Sequence, residues 1–277
     1  MLGTGDEGIG VRYRVSVVGR IAAPEFEDFD WFPATLRDPM TGVIRAVMEV
    51  FRVPAVVAPL ISEAMVTGQT ERVVDLCSGG GGVILGVIKR LRQEGKQNAS
   101  VTLTDMYPNL GAFARAEKEL PGAVSYRTQP TDASAVPSDL AGVRTIFNAL
   151  HHLPPEVARA VFTDAVDKRQ PILTFEVLQR TPMNVIGAVT GFINTLILMP
   201  FVKPRRLSNF VFTYLIPLVP LFLMWDGVAS CLRQYSVDEL ESLVAPLRSR
   251  SYTFRIERHK VPWAPMTVTC VVGLPVP

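Results

Sequence analysis

The chain has 277 residues, 48% of them hydrophobic and 19% charged, with a formal net charge of +2. That length supports one α/β domain with a sizeable core, alone or with an insertion, and the charged fraction is below the usual quarter, so the chain is apolar for a water-soluble protein. The densest basic group is only Lys203, Arg205 and Arg206, which argues against a nucleic-acid footprint. Cys77, Cys231 and Cys270 are widely spaced and odd in number, so packed thiols are expected and neither a disulfide framework nor a metal site is. A cytoplasmic location is expected, because Met1–Val11 is acidic, lacks an apolar core and does not read as a signal peptide.

In chain order, Val11–Val18 alternates, and residues 24–39 (PEFEDFDWFPATLRDP) form an acidic, aromatic, proline-bounded stretch that reads as an ordered loop or short cap. Residues 40–67 carry apolar positions at helical spacing, with Pro54 and Pro59 expected to divide them into two helices. From residue 72 short apolar runs alternate with helical patterns. Strands are predicted at Arg72–Cys77, Ser100–Asp105, Ala123–Arg127, Val143–Asn148 and Pro171–Val177. Helices are predicted at Val83–Arg92, Asn109–Leu120 and Pro155–Lys168. Such alternation means βαβ units and a mostly parallel sheet.

The alternation stops at residues 181–202 and 207–225, which carry no charge and are joined by Lys203–Arg206 (KPRR). Each run has about the length of a membrane span, but Asn184, Thr190, Asn194 and Thr195 dilute the first, and Pro217 and Pro220 interrupt the second. Three readings stay open: a membrane-associated hairpin with Arg205 and Arg206 near lipid headgroups, a lid over a lipophilic substrate pocket, and a buried homodimer interface. Ser236–Leu247 then reads as a helix with a Ser236/Glu239 capping box, and Tyr252–Arg258 with Met266–Gly273 as a closing strand pair. The expected organisation is thus an N-terminal segment with cap helices (1–71), a cofactor-binding core (72–180), an apolar helical insertion (181–227) and a closing segment of the same domain (228–277).

Val73–Gly82 (VVDLCSGGGG) carries the strongest local signal: a strand ends in a glycine-rich turn that opens a helix. Glycine lets the backbone turn sharply and approach a ligand, and the helix N-terminus offers free N–H groups to an anion. No Gly-Lys-Ser/Thr follows, so this is not a P-loop, and the contiguous glycines differ from the G-x-G-x-x-G of dinucleotide binding. Asp105, at the end of the next strand, is placed to accept ribose hydroxyls.

With these residues the chain resembles class I S-adenosylmethionine-dependent methyltransferases. Their first motif, Asp/Glu-x-Gly-x-Gly-x-Gly, aligns with Asp75, Cys77, Gly79 and Gly81, Cys77 standing where the family has its first glycine. Asp105 in LTDMYPN, Asp132–Ala133 in PTDAS and Asn148–His152 in FNALHHLPP match the second to fourth motifs. The likeness is similar to a bacterial subgroup in FEDFDWFPATLRD, LCSGGGG, TDMYPN and WDGVASCLRQYS. It implies a Rossmann-like, doubly wound, mostly parallel seven-stranded α/β sheet with a terminal antiparallel strand, a hydrophobic helical-hairpin insertion after strand five, S-adenosylmethionine as cofactor and methyl transfer to a small lipophilic or membrane-associated acceptor. Alternatives are an S-adenosylmethionine-binding protein without methyl transfer and a membrane-associated interaction module on the same fold.

The resemblance implies that Gly79, Gly80 and Gly81, with Cys77 and Ser78, pack under the methionine part of the cofactor, against the alternative of a plain tight turn. Asp75 would orient the loop or cap a helix. Asp105, followed by Met106, would hold the ribose or serve as a turn residue. Asp132 and Ala133 would border the adenine or cap a helix, and Asn148 would line the cofactor. His151 and His152 are candidates for a general base or for a structural pair, and Glu176 for a second base or a salt bridge. Trp31, Phe32 and Tyr107 would close over cofactor or substrate, or pack in the core. Trp225 and Asp226 stand at the hairpin exit, where Asp226 would bond the acceptor or a buried arginine such as Arg233. Methyl transfer from a sulfonium needs mainly alignment of donor and acceptor, so a base is required only where the acceptor must lose a proton.

Overall fold

The computed structural model describes residues 19–262, 264 and 266–276; the Val11–Val18 run and the Met1–Val11 stretch lie outside them. Five parallel strands, β1 (Arg72–Leu76), β2 (Ser100–Leu103), β3 (Val124–Tyr126), β4 (Val143–Phe147) and β5 (Ile172–Glu176), form most of one sheet. The closing strands are β6 (Tyr252–Lys260) and β7 (Thr267–Pro275). β7 runs antiparallel between β5 and β6, giving the order β3-β2-β1-β4-β5-β7-β6.

Alternate side chains of the central strands enter separate cores, as a pleated strand requires. Val73, Val101 and Leu173 pack with α2 (Val53–Thr67), α3 (Gly82–Gln93) and α4 (Leu110–Glu119) on one face. Val74, Leu76 and Ile146 pack with α5 (Pro155–Asp167) on the other. Covered on both sides, the strands read as continuous apolar runs. The strand order reverses between β1 and β4, and in such sheets the crevice beyond the carboxyl ends at that point receives ligands.

A third apolar cluster lies outside the sheet. Phe32, with Leu36, Met40 and Val43 of α1 (Ala34–Val50), packs on Met199, Val202, Val219 and Leu223. The break between α1 and α2 falls at Arg52, whose backbone is left-handed (φ 53°). Pro54 sits in the first turn of α2, where a missing N–H costs little, whereas Pro59 stays inside α2 and does not divide it.

The apolar segment is less regular than its composition suggests. α6 (Pro182–Leu198) continues as a tight turn to Phe201, and this 20-residue stretch, of mean hydropathy 1.6, is long and apolar enough to cross a membrane. The second run is not one helix. α7 (Leu207–Phe210) passes into a wide turn at Val211–Leu215, and the chain bends by 75° before α8 (Leu218–Arg233). Pro217 stands at the bend, where its ring cannot continue a helix from the preceding residue. α8 runs across residue 227 to Arg233 and packs along α6. α9 (Val237–Val244) follows with both bonds of the Ser236/Glu239 capping box formed, and its Leu240 and Leu243 join the second core.

Candidate functional site

Beyond β1 the chain turns at Cys77, whose φ of +54° explains why a glycine suits this position; a side chain there costs about 1–2 kcal/mol. Ser78 stitches the turn to the end of β2: its N–H donates to Thr104 O (3.0 Å) and its hydroxyl to Asp75 O (2.8 Å). The glycines divide their labour. Gly79 has a φ of +52°, and a Cβ on it would meet nothing within 4 Å, so its backbone faces open space. Gly80 instead lies against α1, where a Cβ would stand 2.8 Å from Thr41 Cγ2. Gly81 begins α3 as its N-cap.

The Asp105 carboxylate closes this loop, accepting the Gly79 N–H (2.8 Å) and the Tyr107 N–H (2.9 Å). The Thr131 N–H donates to Asp105 O (2.8 Å), which brings Asp132 and Ala133 beside it. Asp132 is exposed and accepts from Ser134 N–H (2.8 Å) and Oγ (2.7 Å), a local turn rather than a helix cap; Ala133 is buried. Asp75 is buried, accepts the Thr145 hydroxyl at 2.6 Å and has no cation beside it among the described residues. Burial pushes its carboxyl up to about 7 against the opposing hydrogen bonds from Thr145 and Ser78. Its carbonyl, rather than its carboxylate, organises the loop. Burial likewise raises the Cys77 thiol to about 12, which removes it as a nucleophile.

One strand over, Asn148 adopts φ +49° beyond β4 and ties β4 to β5: its N–H donates to Phe175 O (2.8 Å) and its Oδ1 accepts the Val177 N–H (3.1 Å). Asn148 borders a 460 Å³ cavity. Val43, Val47, Val177 and Leu223 line its apolar part, and one side of α6 forms a wall. Its other pole is polar, with Glu25, His151, His152, Asp226, Ser230 and Gln234.

That pole is a network of carboxylates and histidines. His151 is buried, with Nδ1 2.8 Å from Glu176 Oε2 and Nε2 3.6 Å from Glu25 Oε1. His152 Nδ1 lies 2.7 Å from Asp28 Oδ1, and its Nε2 3.6 Å from Glu25 Oε2. Glu176 also accepts the Leu150 N–H (2.8 Å) and the Gln234 amide (2.9 Å). Glu25 accepts from Ser230 Oγ (2.9 Å) and Arg233 Nη1 (3.3 Å), and Arg233 pairs with Asp28 as well. Burial opposes charge on His151, but Glu176 and Glu25 outweigh it and raise its pKa to about 9. The same contacts hold Glu176 below the usual carboxylate range despite burial. In this arrangement His151 and Glu176 are partners in one buried carboxylate–imidazole network.

The remaining expected site residues divide. Asp226 lines the cavity, but neither Arg233 nor any other cation is its hydrogen-bond partner among the described residues: it accepts the N–H groups of Phe26 (2.7 Å) and Glu27 (3.2 Å) and so anchors segment 25–28. Trp225 lies outside the cavity lining and donates Nε1 to Pro24 O (3.0 Å). Trp31 stacks on Phe29 and is 67% exposed, Tyr107 is 78% exposed, and neither borders the cavity. Phe32 is core. Met106 is exposed beside Asp105. The sequence reading misses Glu25, Ser230 and Gln234; the one available signal is the acidic, aromatic run from Glu25 to Asp30, unusual for a plain loop.

No family model matches the chain, and no curated protein matches it. Among solved structures it is similar to an O-methyltransferase from neocarzinostatin biosynthesis in complex with S-adenosylmethionine and 2-hydroxy-5-methyl naphthoic acid, at 17% identity and TM-score 0.44, covering 76% of this chain and 50% of that one. It is also similar to an O-methyltransferase family protein from Burkholderia thailandensis, at 15% identity and TM-score 0.47, covering 83% and 58%. A third is the mitomycin 7-O-methyltransferase, at 14% identity and TM-score 0.46, covering 91% and 61%. The chain therefore spans between half and about three fifths of these proteins' lengths. Its own strand order, with the antiparallel β7 inserted between β5 and β6, is that of the Rossmann-like fold of class I S-adenosylmethionine-dependent methyltransferases.

Proposed function

We propose that the protein is an S-adenosylmethionine-dependent methyltransferase acting on a small lipophilic acceptor. The observation that carries this reading is the turn after β1: a left-handed Cys77–Gly81 loop, with Gly79 open to the crevice and its N–H held by the Asp105 carboxylate at the end of β2. The residues fit the cofactor. Gly79 leaves room for close backbone approach, Asp105 presents carboxylate lone pairs to two ribose hydroxyls, and Asp132 and Ala133 stand next to it for the adenine. S-adenosylmethionine supplies an electrophilic methyl group on a sulfonium. The chain's own part is to align the acceptor and exclude water.

The acceptor space is the cavity beside Asn148. Its apolar walls suit a lipophilic body, and its polar pole suits one oxygen or nitrogen group. His151, engaged by Glu176 through Nδ1, presents Nε2 to this pole and orders it rather than abstracting a proton. α6 supports the lid reading of the apolar segment, because it walls the cavity. It also leaves Val189, Ile193 and Ile197 exposed outside the cavity lining, an apolar edge that supports delivery of the acceptor from a membrane surface.

Calorimetric titration with S-adenosylmethionine tests the cofactor assignment. Asp105→Ala is expected to weaken binding about 10- to 100-fold, since a hydrogen bond to a charged group contributes about 1.5–3 kcal/mol. Equal affinity in wild type and variant would remove Asp105 from the site, and no binding by the wild type would overturn the reading.

A further inference from the structure

We propose that Glu25, His151 and His152 bind one divalent transition-metal ion at the polar pole of the cavity. Two features of the cluster carry this. First, one ligand atom from each residue converges within 4.8 Å, and Glu25 stands 3.6 Å from each imidazole Nε2. Tetrahedral zinc, with bonds of about 2.0–2.1 Å, holds its ligand atoms about 3.4 Å apart, so small side-chain shifts close the set.

Second, both imidazoles are oriented as metal ligands are. A ligating histidine commonly gives its other ring nitrogen to a carboxylate, which fixes the tautomer and the ring plane. Here Glu176 holds His151 Nδ1 and Asp28 holds His152 Nδ1, leaving both Nε2 atoms turned to Glu25. His151 Nε2 is buried and has no hydrogen-bond partner among the described residues, an arrangement a buried polar atom adopts at a cost. Glu25 is steadied by Ser230 and Arg233, each giving one bond, so lone pairs remain on both of its oxygens.

Two imidazoles and one carboxylate suit zinc, iron, cobalt or nickel rather than calcium or magnesium. The remaining coordination positions face the cavity, so the ion would bind an anionic oxygen of the acceptor; this last role rests on the proposed methyl transfer, whereas the ion site itself does not.

The test uses the full chain, free of any affinity tag and stripped with a chelator, titrated with cobalt(II) and followed by equilibrium dialysis and visible absorption. One cobalt per chain is expected, with the intense d–d bands of a low-coordinate site. His152→Ala, at a half-buried position and with circular dichroism as its fold control, is the deciding variant, because Glu25 also anchors Arg233. It should weaken cobalt binding roughly a hundredfold, and Asp28→Asn, one step removed, about tenfold. No saturable cobalt in the wild type, or equal binding by a folded His152→Ala chain, overturns the site. S-adenosylmethionine affinity measured on the same preparation separates the two proposals. Cobalt binding without cofactor binding leaves the metal site standing, and cofactor binding without cobalt removes the metal site alone.

Discussion

Two buried carboxylates on strands separated by β4 behave in opposite ways. Asp75, at the end of β1, has only hydroxyl partners and is pushed up to about 7 by burial. Glu176, at the end of β5, is as deeply buried yet is held below the ordinary range by His151 and Gln234. Burial alone does not decide ionisation; the nearest cation does. The β1 end is a backbone site, built from N–H groups and turns. The β5 end is a side-chain site, built from charges that depend on one another.

The sharpest way to break this contrast is to remove a charge from the second site. Arg233→Met leaves Glu25 and Asp28 without their guanidinium, and chemical denaturation is expected to show a loss of about 3–5 kcal/mol, as for other buried pairs deprived of one partner. A change under 1 kcal/mol would mean that the cluster is not held by charge.

The first site predicts a pH dependence with a definite sign. Asp75 has a folded pKa above its unfolded value, so its contribution is fully present below about pH 4 and is lost as pH rises to about 7. Relative to Asp75→Asn, wild-type stability should fall by up to about 4 kcal/mol across that window. Parallel stability curves for the two proteins between pH 4 and 7 would show that Asp75 is not buried as a neutral acid.

Gly80→Ala probes the packing of the loop against α1. The added methyl meets Thr41 Cγ2, and a loss of about 1–3 kcal/mol is expected. Thr41→Ser, which removes that methyl, should restore most of it in the double variant, measured as coupling in a double-mutant cycle. The smallest effect is at Cys77. Cys77→Gly relieves the left-handed strain but adds freedom to the unfolded chain, so stability should change by no more than about 1 kcal/mol, with cofactor affinity unchanged. A tenfold loss of affinity would give the Cys77 side chain a part in binding.

The same contrast sets what the sequence reveals. The loop is contiguous, so Val73–Gly82 and the Asp105 that closes it can be read from local pattern, as can the central strands β1, β4 and β5, which are covered on both faces and read as largely apolar runs. The charged cluster draws on residues 25–28, 151–152, 176 and 230–234, which only the tertiary fold brings together. Glu25 carries no local mark that distinguishes it from Glu27. Trp31 and Tyr107 mislead for a related reason: a large aromatic in a loop promises a lid, but composition cannot say which way the ring points. The second apolar run misleads because hydropathy counts residues and is blind to the bend at Pro217.

The anchoring of segment 20–28 on α8 has a consequence for how the chain is made. Arg20 bonds Arg233 O across 213 residues, Asp226 receives the N–H groups of Phe26 and Glu27, and Ser230 meets Glu25 across 205. Contacts of such span carry a high loop-closure cost, which structure already formed between their ends lowers. During synthesis the acidic, aromatic segment emerges before α8, whose Phe222 packs on Phe26 and Phe32 in the folded chain. The cavity's polar pole thus clasps segment 20–28 onto α8, and a late closing of this clasp predicts that a protease cutting only open chains reports it as a step separate from the assembly of the sheet.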